Sequence, residues 1–143
     1  MSDSAMTPDS LRAAGWKPIE SGGFNQAAGP FWMRTDPVEV GLIVEPRHCN
    51  SHVGTVHGGV LMTFADIALG CALTQHMGHS GCFTVSLQTQ FVTVARVGEF
   101  IRCQAEIVRA GNSMVFLRGL LQVGDRVVAT ADGVWKLIKQ EPC

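Results

Sequence analysis

Two glycines and one acid in a single stretch have the types and spacing to act on a carbonyl. In TVHGGVLMTFADIAL, residues 55–69, His57-Gly58-Gly59 opens an apolar run and Asp66 lies inside it, eight residues after Gly58. At a helix start the first backbone N–H groups lack intrahelical partners, and the positive end of the dipole faces outward. Glycine has no Cβ, so a carbonyl can approach the backbone closely there. Gly58 and Gly59 therefore form a candidate oxyanion hole, with donors aimed where charge grows on oxygen. A tight turn into the helix would use the same pair. Asp66 is the sharper residue. Its helical neighbours at three and four residues, Met62, Thr63, Leu69 and Gly70, offer no ion partner. A carboxylate among apolar neighbours needs a partner or a task; otherwise it lies on an exposed stripe or caps backbone.

Distance then limits what one chain can do. Eight residues at a rise of 1.5 Å span roughly 12 Å along the helix axis. A nucleophile or base must come within about 3 Å of its target, or reach it through one water. Gly58 and Asp66 of the same chain cannot serve one carbon. They meet if a second copy lays its helix antiparallel beside the first, and a twofold dimer then forms two such sites.

The surrounding pattern predicts the elements that hold these residues. Thr7-Pro8 reads as an N-cap with Pro at the first helical position, and Gly15 stops that short helix. Residues 1–29, rich in Gly, Ser and Ala, read as a surface arm; residues 30–143 read as the domain. Asp36-Pro37 is a turn between a short strand and a longer one, Val38–Glu45. A His- and Gly-rich loop precedes a helix over 59–76, and four long strands follow at 83–94, 99–109, 113–123 and 126–138. Gly111-Asn112 and Gly124-Asp125 are hairpin signals. The order predicts an α+β domain: a curved antiparallel sheet around one helix so apolar that it must be buried. The strand at 84–90 shows a polar face of Thr84, Ser86, Gln88 and Gln90. Such a face is equally at home in solvent or at a subunit interface.

Composition narrows the function classes. The chain has 143 residues, 46% hydrophobic and 16% charged, with a formal net charge of -1. That is enough for one domain with a real core. Without a Lys/Arg cluster, nucleic-acid and anionic-membrane partners are not expected. The apolar stretch Val60–Leu73, broken by Asp66, reads as too short to span a bilayer. The start MSDSAMTPDS lacks the basic and apolar blocks of a signal peptide. Cys49, Cys71, Cys82, Cys103 and Cys143 form no CxxC pair. They read as reduced thiols in a cytoplasmic protein, with Cys71 and Cys103 in the core. His48, Cys49, His52 and His57 are metal-type ligands at a spacing that matches no standard site, so no metal is expected.

The stretch NSHVGTVHGGVLMTFADIALG resembles the signature of hotdog-fold acyl-CoA thioesterases of the phenylacetate-degradation subgroup. The likeness continues through TVSLQTQFVTVARVG, AEIVRAGNS and VATADGVWKLI, over residues 30–139. It implies a sheet wrapped around a long helix, in homodimers that often pair into homotetramers. It implies hydrolysis of an acyl-CoA thioester to free acid and CoA, with coenzyme A as part of the substrate and no cofactor. Gly58 would donate its N–H to the thioester oxygen, and His57 would hold the loop or the carbonyl. Asp66 of the partner subunit would act as nucleophile or as general base on water. Thr84 matches a Ser/Thr position that orients that water, and Asn50 matches an Asn at the reacting centre. The usual pattern sets that Asn six residues before the motif His; here it is seven, because SHVG carries an extra residue. Either the loop bulges and keeps Asn50 in place, or Ser51 or His52 takes over. The pantetheine arm would run past Gly59 and near Phe91–Arg96 and Arg109–Ser113, with Asn112 in that hairpin and arginines meeting phosphates. Leu61, Met62, Phe64 or Phe83 would line the acyl pocket, whose specificity the sequence does not reveal. Two other readings use the same fold: an enoyl-CoA hydratase or dehydratase, and a non-catalytic acyl-CoA binder. Asp66 with Gly58 and Thr84 argues for hydrolysis over both.

Overall fold

Seven residues of the longest helix explain the architecture. The computed structural model describes residues 5–138, and Cys143 lies outside them. Helix α3, Gly58–Met77, buries Leu61, Phe64, Ala65, Ala68, Leu69, Ala72 and Leu73. Their spacing of three and four puts them on one face. That face packs into an eight-stranded sheet. The strands are β1 (Lys17–Pro18), β2 (Phe31–Arg34), β3 (Glu39–Ile43), β4 (Cys82–Phe91), β5 (Phe100–Cys103), β6 (Glu106–Ala110), β7 (Met114–Val123) and β8 (Arg126–Leu137). Their spatial order is β1-β2-β3-β5-β7-β8-β4, with β6 beside β7, and every pairing is antiparallel. Helix α3 touches β3, β4, β6, β7 and β8, so the sheet curls around it. The expected α+β wrap is present.

The opposite face of α3 is not covered within one chain: Met62 is exposed, and Thr63, Asp66, Ile67, Gly70 and Thr74 are only half-buried. A helix apolar all round is thus half-wrapped by its own sheet. By length and composition it is long and apolar enough to cross a membrane, contrary to the reading of Val60–Leu73 as too short, but here it is the core helix of the sheet.

The strand expected at 99–109 is two strands. Ladder pairing lapses at Gln104-Ala105, opposite Gly119, and resumes in the same register. A Cβ at Gly119 would sit 2.8 Å from the Cys103 sulfur and 3.4 Å from the Leu69 Cδ1, so these two side chains fill the space it would need. Cys103 is buried and Cys71 packs against the core, as expected. Burial pushes their thiols up to about 12 and about 11, with Glu39 adding to the former.

The N-terminal segment does more than an arm. Thr7 caps helix α1 (Pro8–Ala13) in a reciprocal box with Ser10. Leu11, Trp16 and Trp32 then form a second small core with Phe100, whose ring crosses Gly41 where any Cβ would clash. A second short helix, α2 (Gly23–Ala28), was not expected.

Candidate active site

The start of α3 offers one unused donor. His57 is the N-cap, and its Nδ1 accepts the Gly59 N–H at 2.8 Å. The Val60 and Leu61 N–H groups both donate to the His57 carbonyl. The Gly58 N–H has no partner among the described residues. Since Nδ1 accepts, the neutral His57 ring carries its proton on Nε2, a second donor beside the helix start. The Phe91 ring lies over Gly58: a Cβ there would sit 3.0 Å from its Cζ. Gly58 is therefore a position of close approach, while the Gly59 N–H is spent on the cap.

Asp66 lies two turns further along. It is half-buried, and among the described residues no cation pairs with it. Thr84 Oγ1 donates to its Oδ1 at 2.5 Å, a short charge-assisted bond. A β-bulge makes that bond. The β4–β8 register shifts between Thr84 and Ser86. Thr84 pairs with buried Trp135, and after the shift Leu87 and Thr89 pair with buried Gly133 and Ala131. Cross-strand partners share a sheet face. Thr84 therefore faces α3, while Ser86, Gln88 and Gln90 face the other way. The single polar face expected from alternation is split at Val85, and the bulge re-aims Thr84 at the acid. Cys82, on the same stretch, feels the site: burial pushes its thiol up, and the Asp66 carboxylate adds to the shift.

The remaining residues fall into two groups at opposite ends of α3. Near its start, Asn50 closes the loop that carries the extra residue. Its N–H and its Nδ2 both donate to the Thr55 carbonyl, so Ser51–Gly54 project as an exposed tip. Arg96 bridges Thr55 through its backbone and leaves its side chain exposed. At the far end, Asn112 and Ser113 line a cavity of about 770 Å³ with Leu73, Met77 and Phe83. Arg109 is exposed on β6 before that hairpin. Leu61 and Phe64 are buried against the sheet, not pocket-lining as expected. His48 is also structural. Its Nδ1 accepts the Glu45 N–H and its Nε2 bonds the Ala28 carbonyl, which leaves neither nitrogen for a metal. Among the described residues no three His, Cys, Asp or Glu side chains converge as a metal site.

Residues missed in the sequence lie on α2. Phe24, Ala27 and Ala28 border a groove of about 500 Å³ beside His57, Gly59, Val60 and Thr63. Only the lone aromatic in a Gly/Ala-rich stretch could have signalled it.

A single helix wrapped by an antiparallel sheet, with a glycine opening at its start, defines a hotdog domain. The chain belongs to the thioesterase superfamily, whose family model matches residues 53–130. A Pseudomonas aeruginosa protein, PA0474, provisionally named an esterase, is 39% identical over 113 residues, covering 76% of this chain and 84% of that one. Among solved structures, BH2602 of Bacillus halodurans, determined with CoA, is 26% identical with a TM-score of 0.65, over 74% of this chain and 71% of that one. A phenylacetic acid degradation-related protein of Ralstonia eutropha has the same fold, at 23% identity and a TM-score of 0.65, over 94% of each chain. These likenesses support thioester hydrolysis in general.

Proposed function

We propose that the protein hydrolyses acyl-CoA thioesters at a site shared between two subunits. One observation carries the reading. The free Gly58 N–H and the Thr84-held Asp66 sit on one helix, too far apart to serve one carbon, yet each is half of a hydrolytic site. An antiparallel second copy supplies the missing half twice. The same arrangement brings the Phe91–Arg96 group of one chain toward the Arg109–Ser113 group of the other. The solved relative determined with CoA supports CoA as the carrier.

The thioester carbonyl would dock at Gly58, with the His57 ring beside it. Asp66 of the partner subunit attacks the carbon, or takes a proton from the water that does. Charge grows on oxygen where the N–H and helix dipole already point. The oxyanion collapses, the C–S bond breaks, and the CoA thiolate leaves and takes up a proton from the attacking water; where Asp66 itself attacked, that water hydrolyses the resulting acyl–Asp66 anhydride, releasing the free acid and restoring the carboxylate. Thr84 keeps one carboxylate oxygen occupied and leaves the other for the reaction. The cytoplasm, where CoA esters are found, is the expected compartment.

The test is thiol release from acyl-CoA by wild type, by Asp66→Asn and by Gly58→Val. Each variant should lose about 10²–10⁴-fold in kcat, while Asp66→Asn still binds substrate. Mixed dimers of the two variants rebuild one intact site and should recover activity. Turnover by Asp66→Asn equal to wild type removes the acid from the chemistry, and failure of the mixed dimers removes the shared site.

A further inference from the structure

We infer that Phe24 of α2 closes the acyl end of this site and sets which acyl groups enter. The inference rests on the thioesterase reading above and names the subsite it leaves open. The groove between α2 and the start of α3 is lined by His57 and Gly59, the residues on either side of Gly58. A chain attached to a carbonyl held at Gly58 has this groove beside it. Its volume, about 500 Å³, is that of a small-ligand pocket.

Apart from the His57 Nε2–H, which lies with the Gly58 end, the polar groups on its walls are already engaged. His57 Nδ1 accepts the Gly59 N–H, and Thr63 Oγ1 donates to the Gly59 carbonyl at 2.9 Å. Arg47 pairs with Glu45 and donates to the Ala27 and Gly29 carbonyls, while His48 Nε2 holds the Ala28 carbonyl. Away from that nitrogen, Phe24, Ala27 and Val60 remain to meet a ligand, an apolar lining suited to an acyl chain and poor for a pantetheine amide.

Helix α2 is built to adjust. None of its residues is buried, and Phe24 is 69% exposed. Its C-terminal carbonyls are clamped by Arg47 and His48, whereas it starts at Gly23, with a φ of +62°, after the Gly22 cap. Phe24 sits on the loose end, facing the groove. The element lies outside residues 53–130, the part that the family model matches.

Two measurements on the full chain test this. The first is kcat/KM for straight-chain acyl-CoA esters from acetyl to decanoyl and for phenylacetyl-CoA, in wild type and Phe24→Ala. The loss should grow along the series, from about twofold on acetyl to about tenfold or more on the wild-type optimum, and the optimum should move to larger groups. An equal loss on every ester, or none, overturns the inference. The second needs no turnover. In Phe24→Trp, tryptophan emission should shift with a non-hydrolysable octyl-CoA thioether and not with CoA. No shift, or an equal shift with CoA, overturns the subsite. If wild type releases no thiol from any ester while the thioether shift occurs, the hydrolytic reading fails and the subsite stands.

Discussion

The two edges of the sheet are treated in opposite ways. At one end, β1 is two residues long and includes Pro18, which has no N–H to offer. Trp16 beside it is buried, edge-on to Phe100 at 5.2 Å and under the Arg34 guanidinium at 5.0 Å. At the other end, β4 is ten residues long, and β8 is its one partner among the described residues. Phe83, Val85 and Phe91 on it, and Val92, Val94 and Val97 just after it, are each at least half exposed. An open apolar edge invites pairing, and proteins that remain monomers blunt it. This chain blunts one edge with a two-residue strand ending in Pro18 and leaves the other bare. The bare edge is also the strand whose bulge turns Thr84 onto Asp66. In the proposed two-subunit enzyme, the closed edge would serve stability, and the open edge assembly and catalysis together.

That contrast can be broken in either direction. Trp16→Ala should cost ~3–5 kcal/mol of stability, read from denaturant unfolding, with kcat per folded molecule unchanged. A fall in kcat at full folding would tie the closed edge to the site. Val85→Glu puts a charge on an exposed strand position, so the single chain should keep its Tm within a few degrees. Two such edges side by side would repel. Sedimentation should show a monomer, and kcat should fall about a hundredfold as the shared sites disappear. A monomer with wild-type turnover defeats the two-subunit site.

How much of this the sequence revealed depends on the range of the forces involved. Local signals read correctly: the Thr7-Pro8 cap, the helix at 59–76 against Gly58–Met77, and the turns at Gly111-Asn112 and Gly124-Asp125. The 12 Å problem between Gly58 and Asp66 also needed only the rise of a helix. What was hidden depends on partners far along the chain. An alternating strand looks the same with or without a bulge, so the inward turn of Thr84 was invisible in Thr84, Ser86, Gln88 and Gln90. The break at Gln104-Ala105 lies opposite Gly119 on the neighbouring strand, a pairing that the local sequence of either strand does not show. Helix α2 has no apolar stripe; Arg47 and His48, about twenty residues away, hold it by its carbonyls. Side-chain clamps on backbone leave no periodicity to read.

The smallest effect tests the open edge most finely. Thr84→Val keeps the shape of the side chain and removes only the hydroxyl. Asp66 then loses the donor that fixes its Oδ1, and a bond to a charged group contributes about 1.5–3 kcal/mol. Part of that loss falls on the ground state, where water can replace the hydroxyl at a half-buried acid. A fall in kcat of about tenfold follows, since 1.4 kcal/mol is one decade. KM should stay within about twofold, because substrate binding uses other groups. Thr84→Ser restores the donor and should restore most of the rate, which a purely structural role for the threonine methyl would not allow. If Val is as fast as Thr, the bulge at Val85 serves the fold of β4 alone, and the acid finds its orientation from the second subunit.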